Sequence, residues 1–274
     1  MTDPSTRQAL TELFAGQGWP AEAEELLRRG LAPRAPELAL AAPGRLGLGA
    51  GQLVLDAGCR DATSAVALAR RYGCRVVGVD LVGAWLPGGL AEAAAAGLGG
   101  RVTLAQGDLE ALPVADGACD LVWCRDVLSC LPDCRRGLRE CARVLRPGGG
   151  MVLYAVFATD RLAPGDRALL VEGLGNTAAS MDQPTVEAAI AAAGLQLAGR
   201  DRIGSEWLEH RLERDPGHLA EDLLELARLT RTRDRFEPLV GPVWYRRALG
   251  FALWRLQITL GRLVPVLYLL VKPA

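Results

Sequence analysis

The sequence predicts an α/β protein built on a doubly wound, mostly parallel sheet with flanking helices and a helical segment inserted before the last strand. Three observations predict it. Short apolar, β-branched runs alternate with helical stretches, the pattern of parallel strands covered on both faces. Acidic and glycine residues fall at the carboxyl ends of those runs, where open α/β sheets bind ligands. A long amphipathic stretch then separates the last two strand-like runs.

In chain order, residues 5–31 read as two short helices broken at Gly18-Trp19-Pro20. Glu22, Glu24 and Glu25 stand in the first turn of the second, and Arg28-Arg29 near its end, the order a helix dipole favours. They form an expected N-terminal cap over residues 1–35. A helix over 36–42 stops at Pro43-Gly44, and Gly47, Gly49 and Gly51 make a loop. The core follows: LVLDAG (53–58), a helix over 62–72, RVVGVD (75–80), a helix over 84–96, RVTLAQGD (101–108), CDLVWC (119–124), a helix over 132–144 and MVLYAVF (151–157). RPGGG (146–150) reads as a turn before the last of these strands. After a loop and helix near 159–174, Gln183-Pro184-Thr185 starts a helix that Gly194 stops, and LQLAGRDRI (195–203) is a strand. Residues 205–262 read as helical, with Leu219, Leu223, Leu224, Ala227 and Leu229 as apolar positions, and VPVLYLLVK (264–272) as the final strand. The expected division is thus a cap (1–35), a core (36–204), a helical insertion (205–262) and a final core strand (263–274).

Bulk composition excludes several classes. A net charge of -1 over 274 residues gives no overall drive toward nucleic acid or an anionic membrane. The 7 cysteines are odd in number and sit largely in apolar segments, which suits reduced thiols. Cys130, Cys134 and Cys141 form no CxxC pair, and Gly137 breaks the CxxxCxxC spacing, so no metal is expected. Arg255, Gly261, Arg262 and Pro265 interrupt the apolar run near the C-terminus, so no membrane span is expected. Residues 1–20 lack a basic start and apolar centre, and a cytoplasmic location follows as the expectation.

The strand ends carry the chemistry. Asp56-Ala57-Gly58 closes the first strand, Asp80 the second, Gly107-Asp108 the third and Cys124-Arg125-Asp126 the fourth. A dinucleotide fingerprint would place Gly58, Arg60 and Thr63 at its three glycine positions, and two of them fail. Carboxylates repel phosphate but attract ribose hydroxyls, an exocyclic amine and cations. The ligand that fits contains sugar, adenine and a positive centre without phosphate, a description S-adenosylmethionine meets.

VLDAGC, VVGVD, QGDLEALPVADGACDLVWCRDVL and RVLRPGGG, in that order, make the chain resemble the class I S-adenosylmethionine-dependent methyltransferases with a Rossmann-like fold, and among them the small-molecule enzymes of the ubiquinone and menaquinone biosynthesis type. The resemblance covers roughly residues 36–157. It implies that Asp56, Ala57 and Gly58 line the methionine part of the co-substrate, that Asp80 accepts both ribose hydroxyls, and that Leu81 packs on adenine. It further implies that Asp108 takes the adenine amine, Leu109 offers its amide, and the Cys124 carbonyl meets the methionine amino group. Any one of these acids can instead cap the following helix.

Arg60 and Ala62 depart from the family, which places glycine at both. Ala62 is expected to cost little, since that position mainly requires a small residue where helix and strand pack. A Cβ is uncomfortable at positive φ, so an altered turn is expected at Arg60, its side chain turned away from the co-substrate or paired with Asp61 or the methionine carboxylate.

Methyl transfer from a sulfonium is an in-line displacement that needs positioning and water exclusion more than acid–base machinery. The insertion at 205–262 is the expected lid over a small-molecule acceptor. Glu206 and His210, four residues apart on one helical face, make His210 the candidate base with Glu206 orienting it, and His218 ranks behind. Arg228, Arg231, Arg233 and Arg235 face two readings, an anionic-acceptor clamp or a solvated helix end. A nicotinamide oxidoreductase would need the missing phosphate loop. A protein of the same fold that binds S-adenosylmethionine or another ligand without methyl transfer is the alternative.

Overall fold

The computed structural model describes the backbone of residues 20–29 and 32–274, and their side chains except those of Arg28, Arg29, His218 and Leu219. The first expected helix, the apolar role of Leu219 and the side chain of His218 lie outside the described residues. The chain divides into two compact units, residues 1–33 and 34–274. In the first, α1 (Ala21–Arg29) opens with Glu22 and Glu24 in its first turn, where the helix dipole favours acids.

The second unit begins with α2 (Glu37–Arg45) and then alternates: β1 (Leu53–Ala57), α3 (Thr63–Tyr72), β2 (Arg75–Asp80), α4 (Leu86–Ala95), β3 (Val102–Gln106), β4 (Cys119–Arg125), α5 (Cys134–Val144) and β5 (Leu145–Ala158). Beyond lie α6 (Pro164–Leu174), α7 (Gln183–Ala192) and β6 (Gln196–Arg202). The insertion contributes α8 (Glu206–Arg214), α9 (Gly217–Arg231), α10 (Arg233–Val240) and α11 (Pro242–Thr259), and β7 (Leu263–Val271) closes the fold.

The seven-stranded sheet has the order β3-β2-β1-β4-β5-β7-β6. β1 to β5 pair in parallel, and β7 runs antiparallel between β5 and β6. Strand order reverses between β1 and β4, so a crevice opens beyond their carboxyl ends. The register makes those ends level: Ala57 stands beside Val79 of β2 and Cys124 of β4. Val54, Leu55 and Ala57 are fully buried because helices cover both faces. One face packs Leu68, Trp123 and Leu267, and the other packs Leu55, Leu138, Leu153 and Phe157.

RPGGG is not the expected free turn. Residues 146–150 are the first part of β5, with a register irregularity between Cys119 and Leu121 of β4. The end of the chain draws them into the sheet: Gly148 donates to the Lys272 carbonyl at 2.9 Å, and Lys272 donates to that of Gly149 at 2.9 Å. Arg146 Nε adds a 2.7 Å bond to Asp120. The glycines are needed because Gly148 has φ 71° and backbone oxygens of Arg146 and Asp120 crowd Gly149.

In the insertion, α11 crosses α6 through small residues. Gly173 lies against the Arg246 carbonyl, and Gly250 against Gly173 and Leu174. Arg255 ties α11 to Asp222 of α9 through its Nε at 2.7 Å, and the Tyr245 hydroxyl donates to the Leu229 carbonyl at 3.1 Å. Leu223 and Leu224, expected to be apolar contacts, are exposed, whereas Leu229 is buried. The reason is that α9 packs through Leu226 and Leu229 onto Tyr245 and Leu249, leaving its other side to solvent.

A Cβ at Gly173 would overlap a backbone oxygen that cannot rotate away. Gly173→Ala is expected to cost about 1–3 kcal/mol, the range for overpacking, read as a lower denaturation midpoint. An unchanged midpoint would mean that the α6–α11 crossing is looser than described.

Candidate active site

The loop after β1 is built around its hydrogen bonds to β2. The amides of Gly58 and Cys59 donate to the Val79 carbonyl at 2.8 and 3.2 Å, turning the chain sharply. Gly58 has φ 80°, and a Cβ there would collide with Val127. Only glycine suits this position.

Arg60 and Ala62 also stand at positive φ, 47° and 61°. The turn is therefore not altered by these residues: an arginine and an alanine adopt the left-handed backbone usually left to glycine, at about 1–2 kcal/mol each. Local bonds offset the cost. The Arg60 amide donates to Asp80 Oδ2 at 2.8 Å, and the Ala62 amide to the Cys59 carbonyl at 2.8 Å. The Arg60 side chain points outward, its guanidinium 5.3 Å from the Trp85 ring centroid and its Nε 3.9 Å from Asp61. Asp61 itself accepts from the amide and hydroxyl of Thr63 at the start of α3.

Asp80 ends β2 with both oxygens anchored, Oδ2 to Arg60 and Oδ1 to the Val82 amide at 2.9 Å. Asp108 Oδ1 accepts from the Glu110 amide at 2.8 Å. Both are Asx turns with lone pairs to spare. Leu81 is exposed at the lip beside Asp80, and Leu109 is buried. Cys124 is buried at the end of β4, its thiol pushed well up by burial.

Asp56 is different, being 2% exposed, with Oδ2 lacking any hydrogen-bond partner. Burial raises its carboxyl to about 7; a hydrogen bond from the Ala65 amide opposes this, and the Asp80 charge reinforces it.

A second cluster adjoins the end of β4. The Tyr154 and Trp207 rings stack at 5.0 Å, and the Arg125 guanidinium lies 5.7 and 5.9 Å from their centroids. Arg125 Nε is 3.5 Å from Asp126 Oδ2. Asp126 has φ 57°, an outlier of the kind that clusters at functional sites. Its side chain is 48% accessible to solvent, yet protein crowds it on its other sides, and that burial raises its carboxyl to about 6 against the lowering influence of Arg125. Asp126 was visible in the sequence as one more acid at a strand end. Its backbone conformation, and the Trp207 side chain brought from 81 positions downstream, were not.

Glu206 does not orient His210. It is taken by Arg34, whose Nε and Nη2 donate to it at 2.8 and 2.7 Å. Arg34 also bonds Asp201 of β6 at 3.3 Å, so it ties that strand to the start of the insertion. The His210 Nε2 is buried without a hydrogen-bond partner. Of the arginines on the insertion, Arg233 pairs with Glu237 at 2.7 Å. The cysteines are free, all buried but Cys130, and among the described residues no group of three or more His, Cys, Asp or Glu could hold a metal.

Residues 55–153 match a family model described as a methyltransferase domain. Over this segment the strand order and the acidic strand ends are similar to those expected of the class I S-adenosylmethionine-dependent methyltransferases. Among curated proteins, Methyltransferase GfsG of Streptomyces halstedii is 35% identical over 118 residues, which are 43% of this chain and 42% of that protein. The chain thus matches under half the length of this relative. Among solved structures, the [4+2]-cyclase SpnF superposes with a TM-score of 0.65 at 20% identity, covering 87% of this chain and 80% of that one. The geranyl diphosphate C-methyltransferase of Streptomyces coelicolor A3(2), solved with Mg2+, geranyl diphosphate and S-adenosyl-L-homocysteine, gives 0.63 at 18% identity, covering 99% and 84%. These two share the fold with this chain.

Because Arg60 sits at positive φ, glycine should outrank alanine there, the reverse of their order in a helix. Arg60→Ala keeps the strain and loses the Trp85 contact, whereas Arg60→Gly relieves the strain. The glycine variant is expected to be about 1 kcal/mol more stable than the alanine variant, measured by denaturant unfolding. Equal stabilities would argue against a left-handed Arg60.

Proposed function

We propose that this protein transfers the methyl group of S-adenosylmethionine to a small-molecule acceptor and releases S-adenosylhomocysteine. The observation that carries this reading is the rim of Asp56, Asp80 and Asp108 at the carboxyl ends of the adjacent strands β1, β2 and β3, each set further out than the one before, with Asp80 already clasping its own binding loop. The unpartnered Asp56 oxygen, deep in a rim of like charges, suits a cation such as the methionine ammonium. Asp56, Ala57, Gly58 and the Cys124 carbonyl then hold the methionine end. Asp80 receives the ribose hydroxyls. Leu81, Asp108 and Leu109 hold the adenine.

Bound S-adenosylmethionine supplies an electrophilic methyl on a sulfonium. As the acceptor forms its bond to that carbon, the carbon–sulfur bond breaks and its electron pair stays on sulfur. For a hydroxyl or carbon-acid acceptor a proton must leave. We assign its removal to Asp126 rather than His210, because Asp126 lies at the strand ends and reaches solvent. The insertion over 205–262 serves as the lid and sets the acceptor. The free cysteines support a cytoplasmic setting, and nothing in the acidic rim suits nucleic acid.

A second reading rests on one observation: the fold is shared with the [4+2]-cyclase SpnF. Under this second reading, the rim of the present chain binds S-adenosylmethionine or another ligand without methyl transfer.

Calorimetric titration with S-adenosylhomocysteine tests the shared step. Micromolar binding that weakens at least tenfold in Asp80→Ala is expected, since hydrogen bonds to a charged acceptor contribute about 1.5–3 kcal/mol each. No binding to the native protein would sink both readings that use this nucleoside.

Asp126 separates methyl transfer from binding alone. Its carboxyl is expected to titrate near 6 by carbon NMR. The fold favours its protonated form, so its contribution to stability is lost as pH rises from the ordinary carboxylate range through 6. Activity should move the other way, rising through the same pH as the base ionises. Asp126→Asn should lower turnover by about 10²–10⁴ while S-adenosylhomocysteine affinity holds; full turnover in the variant would remove Asp126 from the mechanism.

A further inference from the structure

The insertion carries a surface that the proposed chemistry does not use. At the corner between α10 and α11 and along the outer side of α11, Leu239 is 82% exposed, Val243 67%, Trp244 62% and Phe251 48%. Val243, Arg247 and Phe251 are four residues apart in turn, so they share one helical face. The Arg247 guanidinium lies between the two aromatic rings, 5.2 Å from the Trp244 centroid and 5.4 Å from that of Phe251. The opposite side of α11 is occupied: Leu249, Gly250, Ala252 and Leu253 are buried, and Gly250 meets α6. The outer face is thus not a misplaced core stripe, since the core side of the same helix is already filled.

Its charge is one-sided. Between residues 228 and 251 stand six arginines (Arg228, Arg231, Arg233, Arg235, Arg246 and Arg247) against Asp234 and Glu237, a local excess of positive charge in a chain of net charge -1. Glu237 is already paired with Arg233. Within α11 itself there is no acid at all. Arg231 and Arg233, with Asp234, Glu237 and Pro238, line an open depression that runs to Gly241 and Pro242, beside the apolar corner.

We propose that this face docks peripherally on an anionic lipid bilayer, the Leu239, Val243, Trp244 and Phe251 side chains entering the interfacial layer while the arginines meet lipid phosphates. Aliphatic and aromatic side chains at the tip with arginines beside them are the composition of an interfacial amphipathic helix, and tryptophan is the residue that prefers the headgroup level. A second copy of the chain fits less well, because a twofold contact through this face would set Arg247 against its own equivalent with no acid on the helix to meet it. No described helix is long and apolar enough to cross a membrane, so the contact is a surface one. The whole-chain charge excludes a general attraction to anionic surfaces, and the local excess supplies an oriented one. This inference stands whether or not the strand-end rim transfers methyl groups.

The test is co-sedimentation of the full chain with vesicles of phosphatidylcholine alone and of phosphatidylcholine mixed with phosphatidylglycerol. Binding is expected only to the mixed vesicles and should fall as salt is raised. Trp244→Ala combined with Phe251→Ala should reduce the bound fraction at least tenfold, and Arg246→Gln with Arg247→Gln should remove the preference for phosphatidylglycerol. All four side chains are at least partly open to solvent, so unfolding midpoints near that of the native protein serve as the control for folding. Inorganic phosphate at the salt-matched concentration should not release the protein; release by phosphate alone would mean a free-anion site and overturn the lipid assignment. Absence of vesicle binding, or binding that both variants leave intact, would overturn the proposal. So would a native dimer in sedimentation velocity that the aromatic variant dissociates, since the face would then be self-associating.

Discussion

The Asp80 carboxylate is the constraint on which the site depends. By accepting the amides of Arg60 and Val82 it joins the loop after β1 to the turn after β2, across a separation of 20 positions from Arg60 to Asp80. The Val79 carbonyl reinforces the same joint through Gly58 and Cys59. With these bonds made, the path from β1 to α3 has to pass through left-handed residues, whichever side chains occupy them. The backbone geometry is set by where the orphan donors of the loop find acceptors. Arginine at position 60 is tolerated because its side chain leaves the loop on the solvent side and rests on Trp85.

Most of the architecture was legible. Alternating apolar runs and helices identified β1 to β5 and the helices between them, because burial on both faces leaves a strong pattern. The failures have local causes. RPGGG carries every mark of a turn, yet the antiparallel return of β7 and Lys272 just beyond it supply hydrogen-bond partners that no local rule sees. Leu223 and Leu224 stand six and five positions before Leu229, a spacing that turns them away from its face of α9 and toward solvent. The positive φ at Arg60 was foreseen as a difficulty and resolved the other way, by the residue bearing the strain rather than the turn changing.

The site was legible in its acids and illegible in their environments. Asp56, Asp80 and Asp108 could be placed at strand ends from sequence alone. That Asp80 and Asp108 each hold local amides, while Asp56 is buried with an oxygen unsatisfied, required the packing. Asp126 and His210 show the same limit. Spacing on a helix suggested a Glu206–His210 pair, but Arg34, far away in sequence, competes for the carboxylate with several donors in a fork that an imidazole cannot match.

Under the proposed function, the division of labour among these acids follows from where charge resides. A sulfonium carries its full positive charge in the ground state and disperses it as the methyl group departs, so a rim of carboxylates favours the bound reagent over the transition state. Interactions of that kind tighten binding without raising turnover. The Asp56–Asp80–Asp108 rim is therefore a recognition device, and it also disfavours holding a product that has lost its sulfonium charge. Rate enhancement has to come from orientation of the acceptor and from a group that becomes more useful as the reaction advances. Asp126 meets the second requirement, since an acceptor proton grows more acidic as its atom bonds to the methyl carbon. Arg125 meets part of the first: its guanidinium is wedged against Tyr154 and Trp207 while touching Asp126, so the strand end and the start of the insertion are locked to the same carboxylate. A shift of α8 that carried Trp207 away would loosen the base with it, which couples closure over the acceptor to the readiness of the group that receives its proton.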